Sequence, residues 1–417
     1  MEISQFNNIT YIKTNNSKFK TNNIIIKFVI PIDNKIIADA TVLNDLMVTS
    51  CNKYNTIKSF SEKMYELYDL NISSSVSTMG NLHISEINFN FIMDEYLNES
   101  IEGKVLEFIN EVIFNPNLTN EDYLKLIKEK RILAIKNAYD DKMSYCIQKL
   151  REELDPNKEY LIDVNSNEED INNVNLKSLN DFYKYLISKA SITVMIDCDE
   201  EDKLYDKLKT RLNFNNNGDE YDYRYKFNSV NNFQFISKTQ NLSQSKFAIG
   251  CKVNIDKNDF EAFSIFNAIY GGFPFSRLFV NIREKQSLAY TINSVFSTNS
   301  NILYIYGGIG NGDLSVNDAN YFDKILIPLR KELDSLINGD ISEVELKQAK
   351  SMIINRAKSA LDIQTSLQNT YYSYYIQKDI FDINEFVKQI NNITKEDVVR
   401  MAKKVYFDKV FLLRGDK

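Results

Sequence analysis

The sequence predicts an α+β protein built from two duplicated domains, each an antiparallel sheet with helices packed on one face. Three observations carry this expectation. The chain has 417 residues, more than one hydrophobic core ordinarily serves. Its strand-like and helix-like stretches follow one another without the regular alternation of a doubly wound sheet. Markers from the first half also recur in the second. Phe28, Ile30 and Ile32 before Asp33 correspond to Cys251, Val253 and Ile255 before Asp256, at an offset of 223. Ser178-Leu-Asn-Asp181 leading to Ile192–Ile196 corresponds to Thr394-Lys-Glu-Asp397 leading to Val410–Leu413, at an offset near 216. Solenoid repeats are far shorter, so a duplication on this scale describes domains.

Taken in order, Asn22 to Ile32 reads as a strand, and Ile36 to Ser50 as a helix with Ile36, Ala40, Leu43 and Met47 on one stripe. A second helix follows over Ile57–Tyr68. Ile72–Thr78 and Leu82–Ile92 form an antiparallel pair across Gly80-Asn81, and the alternation of the second strand changes near Glu86, which suggests a bulge. Asn98–Phe114 is helical and stops at Asn115-Pro116. Thr119 or Asn120 caps a long helix reaching about Leu154, with Glu121 and Asp122 in its first turn, where the helix dipole favours acids. Ser178-Leu-Asn-Asp181 opens a further helix, followed by the strand Ser191–Asp197 and a helix to about Leu212. The stretch from Asn213 to Asn232, rich in Asn, Asp and Tyr around Gly218, reads as an interdomain linker. The expected domains are therefore 1–212 and 233–417. In the second, a strand at Asn301–Gly307, a helix at about Ser315–Ile337 and a helix opened by the capping box Ser342-Glu-Val-Glu345 lead to a tyrosine-crowded helix holding Tyr371, Tyr372, Tyr374 and Tyr375.

Bulk composition excludes several classes. With 50 basic and 57 acidic residues, the net charge is −7, so no electropositive nucleic-acid footprint is expected. No apolar run approaches membrane-spanning length, and the N-terminal residues show no basic and apolar leader. The four cysteines, Cys51, Cys146, Cys198 and Cys251, are widely spaced and read as free thiols of a reducing compartment. A cytoplasmic location, with no nucleic acid and no membrane as partner, is the expectation.

One stretch organises the second half: Tyr270-Gly-Gly-Phe-Pro-Phe-Ser-Arg-Leu-Phe-Val-Asn-Ile-Arg-Glu-Lys-Gln-Ser-Leu-Ala-Tyr290. Gly271-Gly272 and Pro274 end a helix. Phe275, Leu278, Phe279 and Ile282 recur at helical spacing, which leaves Arg277, Arg283, Glu284 and Lys285 to reach solvent or a ligand. Ser287–Phe296 then reads as a strand with Tyr290 early in it. By spacing alone, Arg283 and Tyr290 are a surface arginine and a half-buried tyrosine.

This stretch resembles the second-domain signature of the insulinase/pitrilysin family of zinc peptidases, and the duplicated architecture extends the resemblance over essentially the whole chain. It implies two domains forming half of a clamshell. It also implies that Arg283 and Tyr290, matching an R-x6-Y pattern, help to hold a substrate backbone. Within the family, the chain is most like bacterial non-catalytic subunits.

Active members of the family carry an inverted H-x-x-E-H motif, whose histidines bind zinc while the Glu serves as base. The resemblance places Thr41 and Asp45 at the two histidine positions, Asn44 at the base, and Ala134, in Leu133-Ala-Ile-Lys136, at the third ligand. His83 is the only histidine, so a two-histidine site is impossible, and no catalytic residue, metal or cofactor is expected. His83 reads as a satisfied, partly buried strand residue. Asp140-Asp141 and Glu152-Glu153 read as solvated helix charges, and Gly307-Gly-Ile-Gly-Asn-Gly312 as a turn rather than a phosphate loop. The expectation is a non-catalytic subunit that positions a peptide or unfolded polypeptide for a zinc-bearing paralogue. The alternative is a scaffold or structural core subunit with no role in proteolysis.

Overall fold

The computed structural model describes residues 1–15, 18–155, 163–199, 203–212, 214, 218, 221, 233–312, 315–377 and 379–416. They divide into two compact units. One comprises Met1–Lys136, Ile162–Tyr223 and Leu361–Ile376, and the other Asn137–Leu161, Arg224–Ala360 and Gln377–Lys417.

The first unit holds β1 (Glu2–Phe6), β2 (Ile9–Asn15), β3 (Thr21–Pro31), α1 (Ile37–Met47), α2 (Ile57–Glu66), β4 (Asn71–Met79), β5 (Leu82–Ile92), α3 (Glu102–Phe114) and most of α4 (Glu121–Asp140). After α5 (Lys142–Leu154), the chain continues through α6 (Glu168–Asn173), α7 (Leu176–Lys189), β6 (Ser191–Cys198) and α8 (Leu204–Arg211). The sheet order is β1-β2-β6-β3-β5-β4. The second unit contains β7 (Gln234–Gln240), β8 (Ser245–Val253), α9 (Phe260–Asn267), β9 (Thr291–Ser297), β10 (Ile302–Ile309), α10 (Asp318–Ile337) and α11 (Glu343–Ala360). Beyond α12 (Gln364–Ile376) it ends in α13 (Ile383–Asn392), α14 (Lys395–Ala402) and β11 (Val405–Gly415). Its sheet order is β7-β11-β8-β10-β9.

The duplication is visible strand for strand. β2-β6-β3-β5-β4 and β7-β11-β8-β10-β9 share the same sequence of pairings, and the first pairing of each, β2·β6 and β7·β11, is parallel while the rest are antiparallel. Two details refine the expected class. Each sheet is antiparallel apart from that one pair, and among the described residues each carries one helix on its second face.

Those two helices come from the other half of the sequence. The long helix expected from residue 120 to 154 breaks at Asp141, whose side chain leaves the helix and accepts from the amides of Met143 and Ser144. Asp141 is therefore an N-cap rather than a solvated helix charge. The break releases α5 to pack on β8, β10 and β11. There Tyr145, Cys146, Leu150 and Leu154 form a core with Ala248, Ile302, Phe411 and Leu413. Gly250 lies beneath it, where a Cβ would meet Leu154 Cδ1 at 2.6 Å. Reciprocally, α12 lies on the first sheet. Tyr372 packs with Ile12, Ile25, Val29, Leu82, Ile84 and Met195. Gln368 both accepts from Asn23 Nδ2 at 2.6 Å and donates to Asn23 O at 3.1 Å. Gln364 Nε2 donates to Asp197 Oδ2 at 2.9 Å and to Thr21 O at 2.7 Å. These buried polar groups are paired, as burial requires.

The second covered face explains why β5 changes alternation. Leu82 and Ile84 face α12, whereas Ile87, Phe89 and Phe91 face the opposite core. Its ladders to β3 and β4 run without interruption, so the expected bulge at Glu86 is absent. Glu86 instead pairs with Lys27, which also lies 4.7 Å from the Tyr372 ring centroid. Gly80, at φ +56, opens the two-residue hairpin turn. Ser178 is the third residue of its helix rather than its cap. Asn175 caps α7, and Ser178 completes the reciprocal box. The expected linker, residues 213–232, lies outside the described residues except for 214, 218 and 221. Of these, Phe214 is buried in the first core and the Tyr221 hydroxyl donates to Lys189 O at 3.2 Å.

Candidate functional site

Of the four residues that the resemblance places at zinc positions, Thr41, Asn44 and Asp45 are built into the packing of the first unit. Thr41 is fully buried and donates its hydroxyl to Val164 O at 2.7 Å. Asn44, also buried, donates Nδ2 to Ser75 O at 2.7 Å and to Glu86 O at 3.2 Å, which ties α1 to the β4·β5 ladder. The Asp45 carboxylate is held by a fork from Arg131 on α4, with Nε donating to Oδ2 and Nη2 to Oδ1, each at 2.5 Å. Ala134 lies one turn further along α4, is exposed and has no side-chain ligand atom.

These residues do not fit zinc. A catalytic zinc needs three deprotonated nitrogen, sulfur or oxygen donors. Here one candidate is a hydroxyl spent on a carbonyl, one is an amide presenting its NH2, and one is a carboxylate already neutralised by a guanidinium. Among the described residues, no group of three His, Cys, Asp or Glu side chains converges as a metal site.

His83 differs from expectation. It is fully buried, and neither ring nitrogen has a hydrogen-bond partner among the described residues. Burial alone pulls its pKa down to about 4, so the ring is neutral near pH 7.

In the second unit, residues 268–272 and 278–285 are π-helical rather than α-helical. Leu278 and Ile282, four apart, are fully buried, and the neighbouring pair stacks, with Arg283 Cζ 4.4 Å from the Phe279 ring centroid. Arg277 does not reach solvent. It is 8% exposed and donates Nε to Glu345 Oε1 at 2.8 Å, Nη2 to Glu345 Oε2 at 3.2 Å, Nη1 to Ser335 Oγ at 2.9 Å, and Nη2 to Asp340 O. Burial raises the Glu345 pKa, but Arg277 and the Ser342 hydrogen bonds outweigh burial and hold it below its ordinary value.

Arg283 is exposed, and none of the described residues accepts a hydrogen bond from its guanidinium. Tyr290 precedes β9 rather than lying within it. Its amide donates to Gly308 O at 2.8 Å, while its side chain is 63% exposed. Gly307 and Gly308 belong to β10, and Gly312 turns at φ +66. Spacing could not reveal Arg131, which lies 86 positions from Asp45. Phe279 was legible only as one apolar position among four.

The geometry gives a duplicated α+β fold in which Thr41, Asn44 and Asp45 are committed to contacts within the first unit. Comparisons bear out the resemblance. Residues 173–353 match the family "Peptidase M16 inactive domain". A Bacillus subtilis protein named "Probable inactive metalloprotease YmfF" is 26% identical over 416 residues, covering 95% of this chain and 94% of the relative. A crystal structure of a conserved protein from Enterococcus faecalis superposes with a TM-score of 0.90 at 24% identity, covering 98% and 97% of the two chains. The peptidase M16 inactive domain from Pseudomonas fluorescens gives 0.78 at 13% identity, covering 100% and 99%. The two structural likenesses concern the fold. Over these spans the chain is similar to insulinase-like proteins whose names describe them as inactive.

Proposed function

We propose that this chain is the non-catalytic subunit of a heterodimeric insulinase-like peptidase, binding and positioning a peptide or unfolded polypeptide for a zinc-bearing paralogue. What supports the reading is a contrast between the two sets of residues. The zinc positions that carry polar side chains are absorbed into hydrogen bonds and an ion pair of their own unit. Arg283 and Tyr290 keep exposed side chains with donors to spare. An exposed guanidinium fork and a phenol suit the carbonyls and terminal carboxylate of an extended peptide. The four buried free cysteines favour a reducing compartment, in keeping with a cytoplasmic location.

The test is to mix the chain with a zinc-bearing paralogue from the same source and follow both association and cleavage of an unstructured polypeptide. Association with a large gain in cleavage is expected. A paralogue that cuts equally well alone would overturn the reading, and association without any effect on cleavage would favour a scaffold.

A further inference from the structure

We propose that Phe279 is a positioning residue that pre-orients Arg283 for an extended peptide backbone. The inference rests on the reading of Arg283 as a peptide-binding residue and asks what holds it ready. An exposed arginine ordinarily samples many rotamers, and a ligand must freeze them on binding. Residues four apart share a face of a helix, and they do so in the π-helical segment 278–285. Phe279 thereby lies under Arg283, with the guanidinium carbon 4.4 Å from the ring centroid. Stacking occupies a face of the guanidinium and leaves its in-plane N–H edges free for a carbonyl or carboxylate.

The segment carrying the stack is fixed at both ends. Arg277, immediately before it, is locked to Glu345, Ser335 and the Asp340 carbonyl. After it, the Leu288 amide donates to Ile282 O at 3.0 Å. The ring therefore sits on an immobilised support, and its contact with Arg283 sets the plane of the fork.

The experiment has two arms. In the isolated chain, the Arg283 Nε–Hε resonance, assigned with Arg283→Lys, should show an aromatic ring-current shift that Phe279→Leu removes and Phe279→Tyr keeps. In the complex with the zinc-bearing paralogue, an unstructured, fluorogenic ten-residue peptide serves as probe. Phe279→Leu should raise KM about three- to tenfold at unchanged kcat, and Phe279→Tyr should restore it. No ring-current shift in the wild type, an unchanged KM in Phe279→Leu while Arg283→Ala raises it, or failure of Phe279→Tyr to rescue would each overturn the positioning role and leave the function reading intact. If Arg283→Ala also leaves the kinetics unchanged, the function reading itself fails. Should Phe279→Leu melt early, Phe279→Met replaces it in both arms.

Discussion

Asp45 of α1 and Arg131 of α4 form a two-point ion pair, with both carboxylate oxygens engaged at 2.5 Å. The side chains are about one-fifth exposed, and the pair stands where the resemblance places a zinc ligand. A fixed cation from α4 therefore neutralises this carboxylate. Removing one partner leaves a poorly solvated charge, so Arg131→Met should destabilise the protein by roughly 1–3 kcal/mol, below the cost for a fully buried pair. The double variant Asp45→Asn with Arg131→Met should recover part of that loss, since neither charge then remains. Urea unfolding of the three variants measures the coupling, and strictly additive losses would deny it.

Zinc content follows from the same geometry. The purified chain, dialysed against micromolar zinc, should retain less than a stoichiometric equivalent and cleave no peptide, because its zinc positions offer no set of three donors. Elemental analysis with a peptidase assay decides this. One tightly held zinc per chain with activity would contradict the account of Thr41, Asn44, Asp45 and Ala134.

His83 predicts acid sensitivity. Its folded pKa of about 4 lies below the ordinary 6.5 because burial disfavours the charged ring. Below pH 6.5 the unfolded chain binds a proton that the folded chain refuses, so stability falls with pH until about pH 4 and then levels off. A shift of this size corresponds to roughly 3 kcal/mol. Asp197 acts in the opposite sense, since burial raises its carboxyl pKa despite hydrogen bonds from Thr14 and Gln364. The His83 share is isolated by comparing wild type with His83→Leu across pH 4 to 7. The variant should lose most of this slope, and an unchanged slope would show that the ring is not the sensor.

The exchange of α5 and α12 predicts that the halves of the sequence depend on each other. Residues 1–212 alone lack the helix that covers Ile25, Val29 and Ile84, and residues 233–417 alone lack the one that covers Ala248 and Phe411. Each fragment expressed singly should be poorly folded, whereas coexpressed fragments should purify together. Limited proteolysis should cut first within 213–232, a polar stretch, and leave the two pieces associated. An independently folded 1–212 fragment with a cooperative melt would contradict the exchange.

What the sequence disclosed was mostly local. Capping boxes at Ser342–Glu345 and Thr394–Asp397 were legible because donor and acceptor lie three residues apart. The duplication was legible because strands of one core recur in order. Partners distant in the chain left no local trace, and the Asp45–Arg131 pair is the clearest example. The break at Asp141 did leave a trace, an Asp three residues before Ser144 inside a helical period, but the continuous apolar pattern of the flanking helices hid it. Arg277 was misplaced because the groups that satisfy its guanidinium, Glu345, Ser335 and the Asp340 carbonyl, lie far away in the chain. The change in alternation along β5 reflects burial on both faces, which alternation read as single-sided burial cannot represent.

The central claim is that Arg283 and Tyr290 serve a zinc-bearing partner in trans. Its most direct test is the peptidase activity of the reconstituted heterodimer carrying Arg283→Ala or Tyr290→Phe. Both side chains are exposed, so folding and assembly should survive either change. Loss of the Tyr290 donor, which strengthens on the developing oxyanion, typically costs about 2.7–4 kcal/mol, so kcat should fall on the order of 100-fold in Tyr290→Phe, while Arg283→Ala should raise KM. Full activity in both variants, with the complex intact, would contradict the claim and leave the scaffold reading ahead.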